Sequence, residues 1–274
     1  MIDPTRSLSY NITIQCALDG FCFVLHDADE QQIVDLELYQ TSGSDEKSVI
    51  TETLEKMVFK RGLYQKPLRS AQYIVDNSLS TLIPQELFNE QKKEAYFLFN
   101  HELRMGYALH HELLPELHAV NVFAVPLRQE QQLGKLWSDL KATHRTSVFL
   151  KALLNEDTHD DPVTAFVNVN SRSFDLAILR EHQLVFFNTF KFNTKDDFAY
   201  FLLFALEQQP FGTDIPVCFS GLISSNSEII RLCERYVKHL RFARPDGRIN
   251  VAMNLNDTPF HYYYIPYKSL LCVL

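Results

Sequence analysis

"AFVNVNSRSFDLAILREHQLVFFNTFKF", residues 165–192, alternates apolar and polar side chains along three short runs separated by polar breaks, the first of them Asn170-Ser171-Arg172-Ser173. That rhythm predicts three consecutive strands wound around two tight turns. A helix should follow, because Thr194 can cap it and Asp196 and Asp197 fall in its positive first turn. Its body, "FAYFLLFALEQQ", is apolar on nearly every side, which predicts burial all round and a further element covering the face that does not meet the sheet. "IPVCFSG" then reads as a short strand ending in Ser220-Gly221. Ser225 and Glu228 have the spacing of a capping box opening the helix "EIIRLCERYVKHL". The order is β-β-β-α-β-α.

The first half of the chain repeats it. "ITIQCAL", Asp19-Gly20, "FCFVLH", the polar turn "DADEQQ" and "IVDLEL" predict three strands over residues 12–38, with Asp-Gly as a strong hairpin signal because both turn positions need positive φ. Thr51 to Arg61 reads as a helix and "AQYIVDN" as a strand. "IPQELFN" reads as a short helix with proline in its first turn. Further strand is expected through "AYFLFN", "MGYALHHELL" and "VNVFAVP", then an exposed amphipathic helix over 128–141 and a buried helix at "TSVFLKALL". Phe21 superposes on Phe174, 153 residues on, which aligns Asp19-Gly20 with Arg172-Ser173. Identities are poor, but the pattern repeats. The acidic, proline-closed "NEDTHDDP" at 155–162 is the best boundary. The expected architecture is α/β: a first lobe over 1–155, a linker over 156–162 and a second lobe over 163–274, each a mixed sheet flanked by helices.

Composition narrows the function. Of 274 residues, 26 are basic and 34 acidic, giving a net charge of −8 that disfavours nucleic acid as a partner. No apolar run approaches the roughly 18 residues that span a bilayer, and "MIDPTRSLSY" lacks a signal core, so no membrane insertion and a cytoplasmic location are expected. The five cysteines, odd in number and set in apolar patterns, suit reduced core thiols.

The segments "FVNVNSRSFDLAILREHQLVFFNTF", "TKDDFAYFLLFALEQQ" and "VCFSGLISSNSEIIRLCERYV" resemble the Bacteroidetes domain-of-unknown-function family 3822 (DUF3822). The resemblance implies the RNase H-like fold shared by actin, the heat-shock ATPases and the sugar kinases. In active members of that superfamily, ATP phosphates and Mg²⁺ rest on one strand-turn-strand hairpin from each lobe, with an aspartate and glycines at each turn. Carried over by position, the first turn here keeps Asp19 and Gly20. The second, Asn168 to Arg172, keeps neither an acid nor a glycine.

Asparagine cannot supply the negative charge that Mg²⁺ favours, so Asn168 and Asn170 weaken an ATPase reading. Arg172, beside Ser171, has a guanidinium fork that can meet phosphate without hydrolysis, while an ordinary polar hairpin turn accounts for the same residues. The adenosine position implied by the resemblance falls on Ser220-Gly221-Leu222-Ile223-Ser224, one glycine where a pair is usual. These small residues suit either a ribose or anion site or a close strand-to-helix turn.

His101, His110, His111 and His118 match no zinc spacing, so no metal ligands are assigned. Asp175 lacks an acidic partner for nuclease chemistry. The basic run from Arg231 to Arg248 reads as a solvated face, and the closing "FHYYYIPYKSLLCVL" as a final strand on the second lobe or an aromatic protein-contact surface. The preferred expectation is a non-hydrolysing scaffold or partner-binding protein with a protein partner and no firm cofactor. The alternative is a divergent ATPase of cell morphogenesis using ATP and Mg²⁺ through Asp19.

Overall fold

The computed structural model describes residues 3–41, 47–156, 161–255 and 257–273. The first half opens with the antiparallel strands β1 (Tyr10–Cys16), β2 (Gly20–Asp27) and β3 (Gln32–Gln40), followed by helix α1 (Lys47–Lys60) and strand β4 (Ser70–Val75). β5 (Ser80–Pro84), helix α2 (Lys93–Leu98), β6 (Tyr107–Leu114) and β7 (Ala119–Pro126) come next, and the three strands form a separate antiparallel sheet in the order β5-β7-β6. α3 (Leu127–Leu136), β8 (Lys141–His144) and α4 (Arg145–Leu154) complete it.

The second half contains β9 (Val163–Val169), β10 (Ser173–Arg180), β11 (Gln183–Lys191), α5 (Lys195–Glu207), β12 (Val217–Gly221), α6 (Glu228–Cys233) and β13 (Leu240–Phe242). β14 (Asn250–Val251) and α7 (Tyr264–Val273) close the chain.

The principal sheets have the same order. One runs β3-β2-β1-β4-β8, with β14 added outside β3; the other runs β11-β10-β9-β12-β13. In each, the first three strands are antiparallel and the last two join in parallel. Period-two alternation explains which face is dry. Ile12, Ile14 and Cys16 of β1 enter one core with Phe21, Phe23 and Leu25, while Ala165, Val167 and Val169 of β9 enter the other with Phe174, Leu176 and Ile178.

The repeat at 153 residues holds at atomic detail. Cys16 faces Phe21 on the rung before the first turn, and Val169 faces Phe174 on the rung before its counterpart. Both second-to-third strand ladders slip at one place, between Leu25 and His26 and between Ile178 and Leu179. Phe21 stacks on Tyr39 and Phe174 on Phe190, each with ring centroids 5.2 Å apart. Even the turn bonds correspond: Ala17 N–H donates to the Gly20 carbonyl at 2.9 Å, and Asn170 N–H to the Ser173 carbonyl at 2.8 Å. Such bulges set local twist and aim, so a matched pair is a stronger mark of duplication than residue identity.

The chain divides into two compact units. One comprises Met1–Val148, Asp246–Asp257 and Pro266–Leu274; the other Phe149–Pro245 and Thr258–Ile265. This division falls inside α4 rather than in the expected 156–162 linker, of which 157–160 lie outside the described residues, and it returns C-terminal segments to the first unit. Other differences have local causes. "AYFLFN" contributes to helix α2, burying Phe97 while Phe99 is 88% exposed; so short an apolar run fits either period. The expected helix from Glu228 stops at Cys233 and is capped by Ser227, whose Oγ accepts from Ile230 N–H, not by Ser225. The expected final strand is helix α7, which accommodates Pro266 in its first turn because the missing N–H has no intrahelical acceptor there. Helix α5 is not buried all round. Phe198, Leu202 and Leu206 are buried, whereas Tyr200 and Phe204 are exposed. Its capping box, in which Thr194 and Asp197 exchange bonds, is present as expected.

Gly20 is held by packing. A Cβ there would lie 2.2 Å from the Tyr39 carbonyl oxygen and 3.1 Å from Gln40 Cα. Gly20→Ala must therefore push β3 away from β2, with an expected loss of about 2 kcal/mol, read as a lowered denaturation midpoint in urea.

Candidate functional site

The second-unit turn joins β9 to β10. Asn170 is buried; Ser171 and Arg172 are exposed, and the Arg172 carbonyl accepts from Phe192 N–H at 3.1 Å. The Arg172 guanidinium carries no hydrogen bond or ion pair among the described residues. One rung back, Asn168 is 1% exposed and sits between Asp175 of β10 and Ser220 of β12. Ser220 Oγ donates to Asn168 Oδ1 at 3.1 Å, and Thr189 Oγ1 donates to the fully buried Asp175 at 2.7 Å. Asn168 Nδ2 is buried without an acceptor, an unusual cost for an amide.

Gly221 has φ +88°, and a Cβ there would stand 2.1 Å from the Val169 carbonyl oxygen. Leu222 N–H donates to that same oxygen at 2.7 Å. Close strand packing thus accounts for the glycine without a ligand. Ser224, exposed and further along, is hydrogen-bonded to Asn226. The fold brings Asn168, Asn170, Ser220 and Gly221 together at adjoining strand ends, leaves Ser171 and Arg172 at the turn's exposed tip, and ties Ser224 into the following loop.

In the first unit, Asp19 is partly exposed and its carbonyl accepts from Thr41 N–H at 2.8 Å and Thr41 Oγ1 at 3.2 Å. The 153-residue correspondence matches Asp19 with Arg172, Gly20 with Ser173, and Gln15 with Asn168. The equivalent turn positions therefore carry opposite charges, and the equivalent last-but-one rungs carry two carboxamides.

Beside the first turn lies a network the sequence did not disclose. Arg145, 2% exposed, is ion-paired with Asp76, and Gln15 Nε2 donates to the other Asp76 oxygen at 2.7 Å. Asp76 N–H in turn donates to the Cys16 carbonyl at 2.9 Å. The one available signal was an acid directly after the apolar run of β4.

Nucleophilic thiol chemistry has no support here. Burial pushes the Cys16 and Cys22 thiols well above their ordinary range and that of Cys233 up to about 12. The histidines have separate neighbours: His101 Nε2 lies 2.9 Å from the Ser80 carbonyl, His110 meets Glu130 at 3.3 Å, His111 packs on Phe88, and His118 ends a turn at φ +46°. Among the described residues no three His, Cys, Asp or Glu side chains form a group able to hold a metal.

Two copies of this sheet order define the actin-like ATPase fold. A Bacteroides thetaiotaomicron protein with actin-like ATPase fold and unknown function is similar at a TM-score of 0.76 and 19% identity, over 89% of this chain and 94% of that one. A chain of the PilM-PilN type IV pilus biogenesis complex is similar at a TM-score of 0.66 and 11% identity, over 97% of this chain and 98% of that one. At these identities the likeness concerns fold alone. The chain belongs to DUF3822, a family of proteins of unknown function, whose model matches residues 1–240. No curated protein matches it. No helix among the described residues is long and apolar enough to cross a membrane.

Proposed function

We propose that this chain is a non-hydrolysing, partner-binding protein of the bacterial cytoplasm. The observation that carries the reading is the opposition of Asp19 and Arg172 at equivalent turn positions. Phosphoryl transfer in this fold needs anionic oxygen to hold Mg²⁺ and close backbone approach to phosphate. A guanidinium cannot ligate a cation, and Gly20 and Gly221 both answer to neighbouring backbone. The PilM relative, which stands in a complex with a protein, supports a protein partner.

A divergent morphogenetic ATPase has one observation in its favour: the Asp19 carboxylate, partly exposed at an intact turn. Thermal melting separates the two. The proposal expects no rise in Tm with millimolar ATP and Mg²⁺, whereas a nucleotide at a hundred times its Kd would add about 2.7 kcal/mol of stability and raise the Tm clearly.

A further inference from the structure

The first unit contains a groove of about 670 Å³ with no part in the turn chemistry. One wall is the segment 65–72 leading into β4, and the other is the segment 134–141 from the end of α3 into β8. Two of its lining residues hold buried polar atoms without partners: Trp137 Nε1, on a side chain only 6% exposed, and Gln72 Oε1. Indole nitrogen can only donate and a carboxamide oxygen can only accept. Both atoms are out of contact with solvent, so neither is accessible from the groove, and its ligand is read from the groups on the surface of its walls.

Backbone and charge narrow the ligand further. β8 begins opposite Gln72, so Ser70 and Ala71 extend β4 with no strand on that side among the described residues. This is the open edge onto which an extended chain can add. Lys66, Arg69, Lys135 and Lys141 line the groove against one carboxylate, Asp139, in a protein whose overall charge is −8. Arg69 is partly engaged with Asp29 at 3.4 Å, while the three lysines are exposed. We propose that this groove binds an extended acidic peptide segment of a protein partner. Its backbone adds to the open edge at Ser70 and Ala71, and its carboxylates meet the lysine rim. This rests on the partner-binding reading for its context, but the two fail separately: ATP turnover leaves the groove untouched, and a groove that binds nothing leaves the phosphate chemistry as degenerate as before.

Trp137 is the only tryptophan in the chain, so its emission reports on the groove directly. The full chain is titrated with a terminally blocked octapeptide alternating Glu and Val, with its Gln-Val and Lys-Val counterparts, with free glutamate, and with a short DNA duplex. The acidic peptide is expected to change Trp137 emission saturably and to bind about tenfold or more tighter than the Gln-Val peptide, an advantage that added salt removes. Lys135→Glu combined with Lys141→Glu should weaken it by a similar factor without changing the Tm. No saturable change with the acidic peptide at millimolar concentration would overturn the proposal. So would equal binding of the Gln-Val or Lys-Val peptide, equal binding of free glutamate, tighter binding of DNA, or a Lys135→Glu, Lys141→Glu protein that binds as before.

Discussion

Asp76→Ala is expected to destabilise the protein by about 3–5 kcal/mol, because it removes the carboxylate facing a guanidinium that is almost wholly out of water. The loss should appear as a lower midpoint in urea denaturation, and Arg145→Ala should match it. Replacing the pair together, Asp76→Leu with Arg145→Met, should recover most of the stability, since a well-packed apolar pair avoids the desolvation penalty that both charges carry. If the double variant is as unstable as either single one, the network is held by more than charge pairing. Gln15, which donates to the same carboxylate, gives a graded control: Gln15→Leu should cost about 1 kcal/mol.

Asp246→Asn should be the second severe change. Asp246 accepts from Lys268 Nζ at 2.9 Å, Tyr267 Oη at 2.7 Å and Arg248 Nε at 3.1 Å, and the Lys268 side chain is only 2% exposed. These bonds fasten the two C-terminal segments that belong to the first unit. Loss of the charge is expected to cost about 3 kcal/mol at neutral pH, and the effect should depend on pH. Burial alone would raise the carboxyl pKa, but bonds from Arg248, Lys268 and Tyr267 outweigh it and hold the group well below its ordinary value of 3.8. A depressed folded pKa contributes stability that is fully present above the unfolded value and is lost as pH falls through the folded one. Wild type and Asp246→Asn should therefore differ by a constant margin from about pH 5 upward, a margin that begins to shrink near pH 4 and closes only once pH has fallen through the depressed folded value. A margin that persists unchanged in acid would mean that the carboxylate charge is not what binds Lys268.

The strand-turn-strand repeat was legible because alternation and turn chemistry are local, and they survive when identities do not. Phe21 and Phe174 could be aligned from pattern alone, and the matched slips at Leu25 and Ile178 supply the detail. The fifth strands were not legible. β8 has four residues and β13 three, too few for alternation to stand out from the helical patterns beside them. Buried networks were hidden for a different reason. Gln15 and Asp76 are 61 positions apart, and Asp76 and Arg145 are 69 apart, so no periodicity links them. The groove around Trp137 likewise joins two segments far apart in the sequence, the approach to β4 and the stretch from α3 into β8, so no local pattern announces it. Among the candidate site residues, Asn168, Ser220 and Gly221 were carried over by position from the resemblance to the actin-like superfamily. That Gly221 answers to the Val169 backbone, and Gly20 to the Tyr39 carbonyl, emerged only from the packing.

ATP turnover by the purified chain, with and without Mg²⁺, decides whether the Asp19 turn supports phosphoryl chemistry. Phosphate release is expected to stay at the protein-free rate, with no difference between wild type and Asp19→Ala. Magnesium-dependent turnover that disappears in Asp19→Ala would instead show that one turn with its aspartate suffices for phosphoryl chemistry despite Arg172 at the equivalent position of the other, and the protein would be an ATPase.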